Sequence, residues 1–271
     1  MKEKLFNLIK EHGLQLFAPI PLSECHLTRP YKLEKAGFDS LDGLNVIMLA
    51  VPYLTKQPKR NISAYAVSRD YHGYFAELFD TLLPRLRSAF PENRFAGFAD
   101  DSPIDERLAA AKAALGILGD NGMLITENYS SYVFLGEIVT DLSLDCEAHE
   151  IEKCRGCGVC KRSCPMEDIG QCLSALTQKK GELSTEEAEI IKKYGSAWGC
   201  DRCQESCPHT LRAIKNGTIY TNLDYFKENV TPCLSTSIIT SMSDEEFARR
   251  AYSWRKRETI LRNLAILEGE E

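Results

Sequence analysis

Cys154-Arg-Gly-Cys157-Gly-Val-Cys160-Lys-Arg-Ser-Cys164-Pro165 has the C-x2-C-x2-C-x3-C-P spacing of thiolate ligands to iron–sulfur clusters. The first three cysteines recur every third residue and can wrap one cluster, with Gly156 and Gly158 free to take the tight turns between them. Cys164, followed by a proline that redirects the chain, is directed toward a second cluster. A later run, Cys200-Asp-Arg-Cys203-Gln-Glu-Ser-Cys207-Pro208, supplies the complement, with Cys172 as an outlying ligand. The crossed ligation of two-cluster proteins assigns Cys154, Cys157, Cys160 and Cys207 to one 4Fe–4S cluster and Cys164, Cys172, Cys200 and Cys203 to the other. Paired C-x2-C motifs also serve zinc. Three cysteines in one short wrap and two Cys-Pro endings favour cubane clusters over that alternative.

The bulk properties agree with an intracellular globular protein. A chain of 271 residues with 44% hydrophobic content can bury a proper core. Eleven cysteines would suit a disulfide scaffold only in a short secreted chain, and the number is odd. The opening Met1-Lys-Glu-Lys-Leu-Phe6 reads as a charged amphipathic helix without a signal-peptide core. The longest apolar run, residues 46–51, is too short to span a bilayer. The expectation is a reducing, cytoplasmic setting with no membrane partner. A net charge of −6 argues against a generic polyanion binder, although a local basic face can still hold RNA.

Outward from the cysteines, the periodicity predicts alternating helices and strands. Leu5, Phe6, Leu8 and Ile9 form a helical stripe ended by Gly13, and residues 14–20 read as a short strand. Residues 45–51, closed by Pro52, read as a strand buried on both faces. Phe75, Leu78, Phe79 and Leu82 mark a helix expected to break at Pro84. Ser102, Pro103 and Asp105 predict the start of an Ala-rich helix running to about residue 118, and a strand pair is expected at residues 123–126 and 132–139. After the clusters the chain reads as helical, with a capping-box start at Ser184 and an amphipathic stripe of Ile260, Leu261, Leu264 and Leu267. The expected division is residues 1–145 and residues 146–271.

Three further stretches are Tyr65-Ala-Val-Ser-Arg-Asp-Tyr-His72, Asp100-Asp-Ser-Pro103-Ile-Asp-Glu106-Arg107 and Leu135-Gly-Glu-Ile-Val-Thr140-Asp141. With the cysteine runs, Leu176-Thr177, Gly199-Cys-Asp-Arg-Cys-Gln204 and Leu261-Arg262-Asn263, they resemble in order the motifs of epoxyqueuosine reductases. That family is similar in fold to corrinoid-dependent reductive dehalogenases, although this chain has no twin-arginine signal. The resemblance implies an α/β (α+β) N-terminal corrinoid-binding domain, then a two-cluster ferredoxin-like domain and C-terminal helices. It implies reductive deoxygenation of epoxyqueuosine to queuosine in a tRNA anticodon stem-loop by a cobalamin fed from two 4Fe–4S clusters.

The same resemblance implies the site. Alignment on Pro103 makes Asp100 the acid that protonates the departing oxygen, a role that needs a dry surround. His72 is expected at the corrinoid or substrate edge, Leu124 and Leu135 along the corrinoid, and Leu173 and Asp201 beside the clusters. An ordinary structural role is the alternative for each. No Asp-x-His-x-x-Gly signature occurs, because Phe75 stands where the glycine is needed, so no histidine of that type would ligate the cobalt. Lys179, Lys180, Arg255 and Arg257, within a basic set that includes Arg249, Arg250, Lys256 and Arg262, are expected at tRNA phosphates. The electron source is expected to be a flavodoxin or ferredoxin, and the protein a monomer. Cys25, Cys146 and Cys233 are read as buried inert thiols.

Gly119-Asp120 replaces a usual Gly-Lys, and Ser130-Ser131 a usual Gly-Ser. These departures keep two other readings open: a two-cluster electron-transfer protein, and a corrinoid-reducing or corrinoid-carrying relative with a non-tRNA substrate.

Overall fold

The computed structural model describes residues 1–57, 59–166 and 171–269. Contacts group the chain into two compact units, Met1–Pro52 with His72–Gly156, and Tyr53–Tyr71 with the chain from Cys157 onward.

In the first unit, helix α1 (Lys2–Glu11) buries Leu5 and Ile9. There follow β1 (Phe17–Pro21), α2 (Tyr31–Lys35), β2 (Asn45–Pro52), α3 (Tyr71–Ala89), β3 (Phe95–Phe98), α4 (Glu106–Lys112), β4 (Ile117–Leu118), β5 (Leu124–Ile125) and β6 (Val133–Thr140). Four strands form one sheet in the order β1-β2-β6-β3, and every pairing is antiparallel. All of β2 except Pro52 is buried, as its unbroken apolar run predicts. Its Val46, Met48 and Ala50 share a core with Ala109, Ala110 and Ala111 of α4. Those small side chains let the helix lie close on the sheet. On the other face, α3 presses its aromatic rings against glycines of the sheet. A Cβ on Gly136 would lie 2.5 Å from the Phe75 ring, and one on Gly97 would lie 2.6 Å from the Phe79 ring.

Three local expectations are corrected. Helix α3 continues through Pro84 to Ala89. Pro84 and Asp80 both face solvent, so water takes the carbonyl that loses its partner, and buried Leu82, Leu83 and Leu86 hold the helix on both sides of the proline. Helix α4 begins at Glu106 with Asp105 as its cap, accepting from the amides of Arg107 and Leu108. Ser102 instead closes its own local turn by accepting the Ile104 amide at 3.0 Å. Helix α4 also stops at Lys112, since Ala114 takes a left-handed φ of 58°. The chain then forms a β4–β5 hairpin, so β5 pairs with β4 and not with β6.

The second unit is mostly short helices: α5 (Val159–Arg162), α6 (Leu173–Thr177), α7 (Thr185–Tyr194), α8 (Arg202–Glu205), α9 (Pro208–Asn216), α10 (Asp224–Lys227), α11 (Thr236–Ser241), α12 (Asp244–Ala248) and α13 (Lys256–Glu268). The expected capping box at Ser184 and Glu187 starts α7. Trp198, Tyr252, Ile260 and Leu264 centre its core, joined by Ile62, Ala66 and Val67 from the early segment. That segment is stitched in by backbone bonds, Ser63 N–H to Trp198 O at 2.7 Å and Ala197 N–H to Asn61 O at 2.7 Å among them. No helix among the described residues is long and apolar enough to cross a membrane.

The glycine against Phe75 gives a test of α3 packing on the sheet. Gly136→Ala forces the ring or the backbone to move and is expected to destabilise the protein by about 1–3 kcal/mol. Denaturant unfolding followed by circular dichroism measures the loss.

Candidate functional site

The cysteine loops are built from special backbone and helix starts. Gly156 and Gly158 take left-handed φ values of 64° and 69°, the freedom their positions between cysteines require. Cys172 and Cys207 are the N-cap residues of α6 and α9, and Pro208 fills the first turn of α9. Cys154 is held onto β4 by its amide, which donates to Leu118 O at 2.9 Å, and its Sγ accepts the Asp120 amide at 3.3 Å. All eleven cysteines are free thiols. Among the described residues no three His, Cys, Asp or Glu side chains converge closely enough to grip one metal ion. Two sequence-local sets of free thiols, the first with left-handed glycines between its cysteines, are a donor set that suits iron–sulfur clusters.

Asp201, between Cys200 and Cys203, is buried and anchors this region. Its carboxylate accepts from Ser63 Oγ at 2.5 Å, the Ala64 amide at 2.6 Å, Arg60 at 3.1 Å and Gln204 at 3.1 Å. Gly199, with φ of 72°, is needed twice over, because a Cβ there would lie 2.5 Å from Ser63 Cβ. Asp201 and Leu173 line a cleft of about 540 Å³ together with Arg60, Tyr194 and Cys200. The late Leu-Arg-Asn motif has a structural reading: buried Asn263 donates to Thr177 O at 2.6 Å and Ala197 O at 2.8 Å. Thr177 Oγ1 in turn accepts the Gly199 amide at 2.9 Å.

In the first unit, Asp100 lies six residues before α4, in a left-handed conformation with φ of 61°. Such a conformation costs about 1–3 kcal/mol in a non-glycine residue. Its Oδ2 is 3.5 Å from His72 Nε2, and the two side chains are 66% and 51% exposed. The structure therefore brings these two expected residues together, at a surface and not in the dry surround expected for Asp100. Leu124 is buried in the α4 core, so only its backbone could face a ligand, while Leu135 is partly buried against the same core.

Behind Asp100 lies a pair of carboxyls that the sequence reading passed over. The Asp100 amide donates to Glu106 Oε1 at 3.1 Å. Glu137, fully buried between Met48 and Phe98 in the sheet, accepts from Ser102 Oγ at 2.5 Å, and its Oε2 is buried without a hydrogen-bond partner. Burial and the neighbouring Glu106 raise Glu137 well above the ordinary glutamate range. Burial pushes Glu106 up to about 7.

Most of the basic residues are engaged within the protein. Arg257 donates to the carbonyls of Ile239, Met242 and Ser243 and to Asp244, and Lys179 pairs with Glu187 at 2.7 Å. Arg262 donates to Lys179 O, and Arg249 pairs with Glu245. Arg255 stacks 3.8 Å from the ring of exposed Trp254, and Lys180 and Lys256 are exposed. Cys25 is a partly buried thiol pushed up to about 12 by burial, and Cys146 is partly buried. Cys233, expected to be buried, is exposed, and its thiol reaches the Lys59 carbonyl at 3.5 Å.

The model described as epoxyqueuosine reductase QueG, DUF1730, matches residues 42–101. A 4Fe-4S binding domain model matches residues 151–167 and 194–220. An epoxyqueuosine reductase of Gloeobacter violaceus is 32% identical over 218 residues, 76% of this chain and 68% of that protein. The chain belongs to the epoxyqueuosine reductase family. A further epoxyqueuosine reductase, of Bacillus subtilis, is 31% identical over 81% of this chain and 58% of its own length. The fold agrees with that of epoxyqueuosine reductase structures. The one from Streptococcus thermophilus superposes with a TM-score of 0.75 at 23% identity, covering 98% of this chain and 80% of that one. A structure of the enzyme with an epoxyqueuosine-modified tRNA-Tyr stem loop also gives 0.75, at 24% identity and the same coverage. As a member of the epoxyqueuosine reductase family, the protein is an oxidoreductase with an iron–sulfur domain.

The buried carboxyls make stability depend on pH. Both folded-state values lie above the ordinary 4.5 of glutamate, so the folded protein binds the extra proton. The associated stability is complete below about pH 4.5 and is lost as the pH rises through 7. The loss at Glu106 is of order 3 kcal/mol or less. Urea midpoints measured from pH 5 to pH 8 are expected to fall for the native chain and to fall less for Glu106→Gln, in which Glu137 alone still binds an extra proton when folded.

Proposed function

We propose that the protein reduces epoxyqueuosine in tRNA to queuosine, with two 4Fe–4S clusters, a cobalamin, and Asp100 as the proton donor. The observation that carries the site assignment is the Asp100–His72 pair, placed at the surface of the first unit at 3.5 Å by a strained loop that the protein spends hydrogen bonds to hold. When bound, the clusters supply single electrons and the corrinoid the two-electron reduction of the epoxide. Cys154, Cys157, Cys160 and Cys207 would hold one cluster, and Cys164, Cys172, Cys200 and Cys203 the other. Backbone near Leu124 and Leu135, with the His72 edge, would face the corrinoid. Covering by ligand and substrate would exclude water from Asp100, which is what a carboxylic acid needs to stay protonated until the oxygen leaves. His72 at 3.5 Å is positioned to orient that carboxyl.

On the tRNA side, exposed Lys180 and the Arg255 guanidinium over Trp254 are better placed for phosphate or base contact than Lys179 and Arg257, whose charges face internal partners. Such a substrate places the work in the cytoplasm, with a flavodoxin or ferredoxin as electron donor and the protein acting as a monomer.

Protein prepared without oxygen and with cobalamin supplied is expected to carry about eight irons and one cobalt and to convert epoxyqueuosine-containing tRNA when given a low-potential reductant. Asp100→Asn is expected to lower turnover about 10²- to 10⁴-fold with metal content unchanged, and a fully active variant would remove the proton-donor assignment.

A further inference from the structure

We propose that Glu106 is a positioning residue for the Asp100 loop, and that the Glu106–Glu137 carboxyl pair keeps the loop in place by holding one shared proton. The inference rests on the reading of Asp100 as the proton donor. The hydrogen bonds locate the proton. Ser102 Oγ accepts the Ile104 amide, so its single hydrogen goes to Glu137 Oε1 at 2.5 Å. That oxygen is then an acceptor, and the buried, unpartnered Oε2 is the atom left to carry a proton. The Glu106 side chain interacts with that of Glu137, and its Oε1 accepts the Asp100 amide at 3.1 Å. One proton thus closes a chain from Ser102 through both glutamates to the backbone of Asp100.

Among the described residues, no cation is one of the main groups acting on the pair. Glu106 feels Asp100 and Asp105 from its own approach and Glu137 from β6. Residues 45–52 and 95–98, on the strands flanking β6, carry no titratable side chain. Cys25 senses Glu137, and His72 faces Asp100 on the solvent side. Loss of the shared proton therefore leaves two carboxylates against each other with a third, Asp100, one hydrogen bond away. The repulsion acts directly on a loop whose left-handed residue has no glycine to ease it. Burial raises both carboxyls, so this loss falls near and above neutral pH.

Glu137→Gln puts a neutral amide where the protonated acid stands and keeps an acceptor oxygen for Ser102, and Glu106→Gln removes the second carboxyl's charge and keeps one acceptor oxygen for the Asp100 amide. Carbon-13 NMR of the glutamate carboxyls in the purified protein is expected to show one carboxyl titrating near neutrality, absent in Glu106→Gln and present in Asp100→Asn. With epoxyqueuosine-containing tRNA, native kcat is expected to fall about tenfold from pH 6 to pH 8 with KM unchanged. Either amide variant should flatten that profile, and Glu106→Ala should lower kcat at every pH. All glutamates titrating in the ordinary range, or an unaltered pH profile in both amide variants, would overturn the proposal. The carbon titration needs no substrate and fails only if the pair fails, whereas an active Asp100→Asn protein strikes the proton-donor reading and leaves the pair standing.

Discussion

A carboxyl group in the middle of a β-sheet must either keep its proton or be matched by a cation, because transfer of a bare charge into an apolar layer costs more than its hydrogen bonds return. Among the described residues Glu137 has no cation acting on it, and it lies between Met48 and Phe98. Its surroundings follow from that constraint. Ser102 turns its hydroxyl inward, the chain from 100 to 105 folds over the carboxyl, and α4 cannot begin until Glu106 has come alongside. The delayed start of α4 and the left-handed Asp100 are thus two results of one buried group.

The second unit uses buried polar groups in the same manner for another end. Cysteine-bearing loops are irregular, so their amides and carbonyls need partners outside any helix or strand. Asp201 meets this need for residues 60–64, and Asn263 for the ends of α6 and the 197–199 turn. Asp201, expected beside the clusters, acts here as a fastener of the loop that carries Cys200 and Cys203. Removing one partner from such a set would leave several others unsatisfied at once.

The cysteine runs, the fully buried β2 and the capping box of α7 were legible because each depends on local spacing alone. The continuation of α3 past Pro84 was not, since it depends on which side of the helix faces water. The start of α4 was misread for a related reason: Ser102 has the chemistry of a cap but spends its hydroxyl on Glu137, 35 residues away. Of the site, Asp100 and His72 were found from motif resemblance, and the structure adds their proximity. Glu137 was missed although it left a signal, a lone charge inside the apolar run Leu135-Gly-Glu-Ile-Val139. Several cations expected at tRNA are engaged internally, as Arg257 is, and composition cannot tell a guanidinium that serves carbonyls from one that awaits a phosphate.

Residues 53–71 pack with chain that follows Cys157, and this ordering bears on how the molecule is made. On the ribosome, Ile62 and Val67 emerge well over a hundred residues before Trp198 and Ile260, which cover them. At roughly 5–20 residues per second the wait is several seconds or longer. Through that interval the nascent segment has apolar side chains and no native shelter, which makes it a natural foothold for chaperones and open to premature association.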